Sequence, residues 1–126
     1  MQALKGITVV ALEHAIAAPF ATRQLADLGA RVIKVERPDI GDFARAYDKR
    51  VRGMASHCVW TNRSKESLTL NVKHPEAQSV LMRLVVERAD VLVQNEAGLV
   101  SITGTPETPS KAGLSMVQRW ATGLKR

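Results

Sequence analysis

The chain has 126 residues, of which 45% are hydrophobic and 24% are charged, and its formal net charge is +6. A chain of this length forms at most one ordinary domain with one modest core, and this composition excludes an intrinsically disordered protein. No apolar run approaches the roughly 18 residues that a membrane span needs. The first residues, MQALKGITVV, lack the layout of a signal peptide, so we expect a cytoplasmic protein that does not bind membranes.

The positive charge and the few metal-binding residues favour neither a nucleic-acid partner nor a metal site. Lys and Arg alternate with acids, as in KVERPDIGDFARAYDKR, and aromatic residues make up only 4% of the chain, too few to predict a base-stacking surface. The single Cys58 excludes an internal disulfide, and His14, His57 and His74 are scattered without a ligand spacing. We therefore expect no metal and no nucleic acid, and a small phosphorylated ligand as the better use of the charge.

A first strand–helix–strand unit is predicted over residues 7–36. The β-branched run ITVVAL predicts a strand at 7–12 that is buried on both faces, and RVIKVE predicts a second strand at 31–36. Pro19 suits the first turn of a helix at 19–28, and Gly29 suits its end. The apolar face of this helix is predicted to hold Ala21, Leu25 and Leu28.

A second unit is predicted after an irregular stretch at 37–55. Alternation of Leu68, Leu70 and Val72 with polar residues predicts an extended segment at 67–72. Pro75 begins a predicted helix at 75–88, and a strand at 90–95 follows. The apolar stripe of that helix is predicted to consist of Ala77, Val80, Leu81, Leu84 and Val85. The fold class is α/β: a partial Rossmann-like layer of mostly parallel strands with crossover helices.

The alternation of strands and helices stops at Asn95. The following GTPETPSKAG has the composition of a loop, and SMVQRWATGLKR predicts a short helix with Met116, Val117 and Trp120 on one face. We therefore divide the chain into residues 1–95, a Rossmann-like part, and residues 96–126, a loop-rich segment with a short helix.

Residues that follow the predicted strands are the candidates for a ligand site. The first turn, LEHAIAAPFA, has no glycine, which argues against a dinucleotide pyrophosphate there. Its alanines permit either a bound ligand or tight helix–strand packing, and packing is favoured about two to one by spacing alone. Arg37, Lys65 and Lys73 are candidate contacts to phosphate or adenine, with solvated surface charge as the alternative for each. No catalytic arrangement of side chains can be argued from spacing.

Four segments together resemble the family III CoA-transferases. They are LEHAIAAPFATRQLADLGARVIKVERPDIGDFAR, SHCVWTNRSKESLTLNVKHPEA, ADVLVQN and SITGTPETPSKAG, and together they extend over most of residues 4–113. The first two are most similar to members that act on dicarboxylic acyl groups such as mesaconyl-, itaconyl- or succinyl-CoA. The resemblance implies that coenzyme A, as CoA or acyl-CoA substrate, lies along the ends of the first strands. The implied CoA-binding residues are Ile16, Ala17, Arg37, Leu70, Asn71, Val72, Lys73 and Asn95.

The resemblance also implies a reaction, and it implies that this chain lacks the segment that holds the nucleophile. Members move CoA from an acyl-CoA to a carboxylic acid through an aspartate nucleophile that forms covalent intermediates. In relatives a loop, a helix and a strand separate the Asn of ADVLVQN from the segment that resembles EAGLVSITG, whereas here Asn95 joins Glu96 directly. Because the aspartate belongs to that block, no catalytic residue can be assigned, and we expect this shortened chain to be inactive alone. The alternatives are a non-catalytic CoA-binding module or an inactive fragment.

Members of the family form dimers whose two chains interlock as linked rings, which this chain is too short to do. We therefore expect a homodimer or self-association through exposed apolar surface.

Overall fold

The computed structural model describes residues 2–95, so the predictions for residues 96–126 lie outside the described part. The strands are β1 (Thr8–Leu12), β2 (Arg31–Glu36), β3 (Lys65–Thr69) and β4 (Val91–Gln94), and the α-helices are α1 (Ala17–Asp27), α2 (Ser56–Thr61) and α3 (Pro75–Arg88). A single turn of 3-10 helix, Phe43–Ala46, lies in the connection between β2 and α2.

The four strands form one parallel sheet in the order β3-β2-β1-β4. At its centre, Val10 of β1 lies between Ile33 of β2 and Leu92 of β4. The chain adds β2 and β3 on one side of β1 and then returns to the other side for β4. The predicted α/β class and the parallel strands near 7–12, 31–36 and 90–95 are confirmed.

The two faces of the sheet carry separate cores, because successive strand residues point to opposite sides. On one face, side chains from the strands pack with Leu81 and Val85 of α3. On the other face, Val9, Ala11 and Val32 pack with Ala26 of α1. The two helices therefore cover opposite faces of the sheet, as both faces of a parallel sheet require.

The predicted signals at the helix ends are confirmed, whereas the predicted apolar stripes are only partly right. Gly29, with φ +99°, follows the last residue of α1 by two positions, after the C-cap Leu28. The side chain of His74 accepts a hydrogen bond at the start of α3, where Pro75 is the first residue. The buried residues of α1 are Pro19, Thr22 and Ala26. Of the predicted residues, Leu25 is half-buried and packs against this core, whereas Ala21 and Leu28 are exposed. In α3, Leu81 and Val85 are buried as predicted, but Val80 is 49% exposed.

Two other elements differ from the prediction. β3 covers 65–69 instead of 67–72, because Leu70 and Val72 turn inward onto the α3 core after a last bond from the Leu70 amide to the Glu36 carbonyl. The helix α2 was not predicted, and six residues are too few to display a helical period.

Candidate functional site at the carboxyl ends of the strands

All four strands end at the same edge of the sheet because they are parallel. Leu12 lies beside Gln94 and Val35, and Glu36 lies beside Thr69. The order of strands reverses between β1 and β4, and ligands of open α/β sheets bind in the crevice at such a reversal. The residues that line this point are the turn between β1 and α1 (residues 13–16, called the first turn below) and Asn95.

Asn95 ties the end of β4 to the first turn. Its side-chain oxygen accepts from the His14 amide at 3.0 Å, and its side-chain NH₂ donates to the His14 carbonyl at 3.0 Å. The Asn95 amide also donates to the Leu12 carbonyl at 3.1 Å. The predicted CoA-binding residue thus has its amide group engaged by the backbone, and its observed part is to hold the first turn beside β4.

Ala15, in the middle of the first turn, has φ +64°. This left-handed conformation is unfavourable for a residue with a Cβ, by roughly 1–2 kcal/mol. The Ala15 amide donates to Asp42 Oδ1 at 3.2 Å, so a carboxylate from the loop after β2 holds it there. The sequence does not predict a left-handed residue at this position, because residues 13–16 include no glycine.

Next to the first turn lies a group of side chains that we call the ion network. It consists of the buried charged side chains of Glu13, Lys34, Asp42 and Lys65 and the half-buried amide of Asn62. Lys34 Nζ lies 2.6 Å from Asp42 Oδ2, and Lys65 Nζ lies 2.7 Å from Glu13 Oε1. The Oδ1 of Asn62 accepts from both lysines, at 3.0 Å and 3.3 Å. All four charged side chains are at most 2% exposed, and their charges cancel.

The remaining polar atoms of the ion network also have partners. Thr22 Oγ1 donates to Glu13 Oε2 at 2.7 Å, and Lys65 Nζ donates to the Pro19 carbonyl at 2.8 Å. Asp42 Oδ1 accepts from the Ala44 amide at 2.9 Å as well as from Ala15. Such saturation is what a buried ion pair requires, because desolvation otherwise outweighs the attraction of the charges.

The environment shifts the pKa of two members of this network. Burial, the largest influence on Asp42, acts to raise its pKa, but the hydrogen bond from Lys34 and the amides of Ala44 and Ala15 together bring it below its ordinary value. Burial lowers the pKa of Lys65, and the bond to Glu13 opposes this only in part. The expectation that Lys65 is a surface charge or a phosphate contact is wrong, since its ammonium group is buried and already bound.

The other predicted binding residues follow the strand ends in different settings. Ile16 and Ala17 are exposed at the start of α1, and Ile16 is 52% exposed. Arg37 is exposed directly after β2, and its Nε donates to the Gly41 carbonyl at 2.9 Å. Within residues 2–95, the two outer nitrogens of this guanidinium have no hydrogen-bond or ion-pair partner.

Of the predicted residues after β3, only two present their side chains to solvent. Asn71 and Lys73 are exposed, and Asn71 Oδ1 accepts from the Lys73 amide at 3.2 Å. The side chains of Leu70 and Val72 pack against the α3 core. These two residues are therefore expected to contact a ligand through their backbone atoms.

Within residues 2–95, three acids that follow or end strands at this edge, Glu13, Glu36 and Asp42, have both of their carboxylate oxygens engaged. Those of Glu13 bind Lys65 and Thr22, and those of Asp42 bind Lys34 and backbone amides. Glu36 accepts two bonds from Arg45, at 2.9 Å and 3.0 Å. An attacking carboxylate must give up such bonds before it reacts, which makes these three unsuited to nucleophilic attack.

An exposed row of aromatic rings begins at the first turn, and we call it the aromatic ribbon. Successive ring centres lie 5.2–5.9 Å apart along the series His14, Phe43, Tyr47, His57, Trp60 and Phe20. The Arg23 guanidinium lies 5.1 Å from the Trp60 ring centre. Phe20, Phe43, Tyr47 and Trp60 are 42–48% exposed. Composition did not predict this surface, because it reports how few aromatics there are and not that four of them gather together.

Within residues 2–95 there is no group of three or more His, Cys, Asp or Glu side chains that could hold a metal ion. In the same range, no helix is long and apolar enough to cross a membrane.

A family model and similar curated relatives both indicate the same protein family. A family model described as CoA-transferase family III matches residues 4–98. The acetyl-CoA:oxalate CoA-transferase of Acetobacter aceti is 40% identical over 90 residues, which are 71% of this chain and 23% of that protein. The succinyl-CoA:glutarate CoA-transferase of Homo sapiens is 40% identical over 93 residues, which are 73% of this chain and 21% of that protein.

Solved structures agree with the sequence comparisons. A CAIB/BAIF family protein from Brucella suis superposes with a TM-score of 0.67 at 37% identity, over 74% of this chain and 25% of that one. The chain thus spans less than a quarter of the length of the two curated relatives. The family model ends at Gly98, so the resemblance of the tail SITGTPETPSKAG lies beyond the match.

Proposed function

Since the chain belongs to CoA-transferase family III, we propose that its described part binds a CoA thioester at the carboxyl edge of the sheet. The reaction it would serve is transfer of CoA from an acyl-CoA to a carboxylic acid, as the names of the Acetobacter and human relatives state for those proteins. The observation that carries the proposal is the first turn, held by Asn95 and Asp42 at the reversal of strand order.

The charges at this edge suit the phosphorylated end of CoA. Arg37 is exposed just after β2, and Lys73 is exposed just after β3. A guanidinium can stack on adenine and can bond to phosphate oxygens, and an ammonium adds a point charge. The exposed residues Ile16 and Ala17 complete the proposed contacts, with Leu70, Asn71 and Val72 as further neighbours of the nucleotide. Asn95 holds the first turn through its two bonds to His14.

We propose further that this chain binds a CoA thioester without transferring its CoA to a carboxylic acid. The carboxylates of Glu13, Glu36 and Asp42 are engaged in ion pairs and hydrogen bonds. The family resemblance assigns no position of this sequence to the nucleophilic aspartate. Displacement by even about 1 Å can reduce a rate about a hundredfold, so a carboxylate elsewhere is a poor substitute.

Binding is tested by titrating CoA into the full 126-residue chain and into two arginine variants. Arg37→Ala should weaken CoA binding by at least about tenfold, which is roughly 1.4 kcal/mol, and added salt should weaken binding to the unaltered chain. Arg31→Ala is the matched control, because Arg31 begins the same strand at the opposite edge and pairs with Glu66. Equal affinities of the two variants would contradict the proposed site.

Transfer is tested by incubating the chain with succinyl-CoA, adding hydroxylamine and examining the peptides by mass spectrometry. We expect no modified Asp or Glu and, with glutarate added, no formation of glutaryl-CoA with release of succinate. A stoichiometric adduct at one carboxylate would show that this chain supplies its own nucleophile, and the peptide would identify it.

Self-association and a cytoplasmic location complete the proposal. The aromatic ribbon and the exposed Ile40 and Met54 favour association, because large exposed apolar patches mark interfaces. Cys58 is a free thiol, which suits a reducing compartment.

A further inference from the structure

The first turn has a backbone that its own residues do not favour. It has no glycine, yet Ala15 has φ +64°. Besides the bonds from Asn95 to His14, contacts from the ion network hold the turn: Asp42 accepts from the Ala15 amide, and Lys65 binds Glu13, the first residue of the turn. Thr22 also donates to Glu13. The turn is therefore held in part by charged groups that lie next to it.

The members of the ion network act on the turn together. Asn62 Oδ1 accepts from Lys34, the partner of Asp42, and from Lys65, the partner of Glu13. One acceptor thus joins the two ion pairs, so a shift of either lysine is felt at the other. Groups linked in this way show coupled rather than additive effects on substitution.

Stability alone does not account for a network of this kind. Well-packed apolar side chains of the same volume often give equal or greater stability than buried ion pairs. Charged pairs differ from apolar side chains in being directional, so they favour one arrangement of the groups that they bind. Here the arrangement concerns the segment at which the ligand is proposed to bind.

We propose that the ion network is the positioning device of the CoA site: it holds the first turn in its ligand-binding conformation before CoA arrives. Glu13, Lys34, Asp42 and Lys65 are positioning residues that act through the backbone of residues 13–16, and none of them touches CoA. The proposal rests on the proposed function. Its energetic basis is pre-organisation, since a turn already in place loses less freedom on binding.

The test compares two Asp→Asn variants of the full chain. Asp42→Asn removes the charge opposite Lys34 and weakens the hold on Ala15. Asp48→Asn is the matched control, because Asp48 accepts from the Ser56 and Arg50 amides, which belong to α2 and the connection before it. The backbone amide resonances of His14 and Ala15 are recorded without ligand, and the CoA dissociation constant is measured where each variant is fully folded.

Asp42→Asn should shift the Ala15 amide resonance and weaken CoA binding by about tenfold or more. Asp48→Asn should leave the resonance and the affinity as in the unaltered chain, although it too lowers the melting temperature. If Asp42→Asn does not fold, Asn62→Ser removes the shared acceptor while each lysine keeps its carboxylate, and a smaller change of the same kind is expected.

Two outcomes contradict the proposals, and they are distinguishable. An unchanged Ala15 resonance and an unchanged affinity in both Asp42→Asn and Asn62→Ser would overturn the positioning role while CoA binding stands. Failure of the unaltered chain to bind CoA would overturn the proposed function, whereas the ligand-free resonances would still report whether the network fixes the turn.

Discussion

Lys34 shows why the centre of this molecule could not be predicted from residue type. The run RVIKVE correctly predicts a buried strand, and Lys34 lies in its middle with a side chain only 2% exposed. Lysine is rarely buried without a partner, so a charge within a buried strand is itself a signal that an acid lies opposite. The sequence does not tell which acid, because Asp42 reaches Lys34 only through the folding of the loop after β2.

At the same scale, the pairing of Lys65 with Glu13 predicts a large effect of a single substitution. Lys65→Met leaves the Glu13 carboxylate buried with Thr22 as its remaining side-chain partner. Removing one member of a buried pair lowers the free energy of unfolding by about 3–5 kcal/mol. Guanidinium denaturation measures this, with Lys73→Met as the control, because Lys73 is exposed and its loss should change stability by less than about 0.5 kcal/mol.

The double variant Glu13→Gln with Lys65→Met should recover part of the stability that Lys65→Met loses. The reason is that it removes the unpaired charge as well as its partner. A single Lys65→Met variant as stable as the Lys73 control would show that this pair does not form.

Among the elements, those with strong local signals were predicted and the one held by distant contacts was not. Pro75 and Gly29 mark helix ends because the fixed φ of proline suits a first helical turn and glycine readily adopts the positive φ that follows a helix. The helix α2 has only six residues and no capping side chain adjacent to it. Its first amide is satisfied instead by Asp48, eight residues earlier: Oδ1 accepts from the Ser56 amide at 3.0 Å, and Oδ2 accepts from the Ser56 hydroxyl at 2.6 Å.

Asp48 should make α2 sensitive to acid. The Ser56 hydroxyl and amide, followed by the Arg50 amide, lower the pKa of Asp48 to about 2 from 3.8. The folded chain thus binds a proton there less readily than the unfolded chain, so this contribution to stability is complete above about pH 3.8 and is lost as the pH falls towards 2. Asp48→Asn should lower the melting temperature at pH 6 and have little further effect at pH 2. An equal decrease at both pH values would contradict this role.

For the molecule as a whole, the sheet was predictable and the inside of the site was not. Apolar runs and the helices between them predicted three of the four strands and their parallel arrangement. In the order β3-β2-β1-β4, the carboxyl ends of the strands lie at one edge of the sheet. The positions of Arg37 and Lys73 at that edge follow from the same pattern. The ion network does not, since its five members come from two strands and three connections and meet only in the folded chain.

The aromatic ribbon predicts self-association at the scale of the molecule. Light scattering at micromolar concentration should give a mass above 13.8 kDa for the unaltered chain. Replacing Trp60 and Phe43 together by Ser should lower that mass, because both rings are 42–47% exposed in the ribbon. Val86→Ser is the control, since Val86 is 42% exposed on α3 and belongs to the helix on the opposite face. A monomer that binds no apolar dye would contradict the prediction.

The sheet order also decides when during synthesis the protein can fold. β1 is the first strand to be made and lies at the centre, but its neighbour β4 is the last described strand, and the Thr8 amide bonds to Asp90, 82 residues later. At about 5–20 residues per second, the ribosome needs roughly 4–16 s to make the chain between them. During that time one edge of the most apolar strand has no partner. Contacts of such long sequence separation slow folding, and unpaired strand edges promote aggregation, so the yield of folded protein should fall as the rate of expression rises.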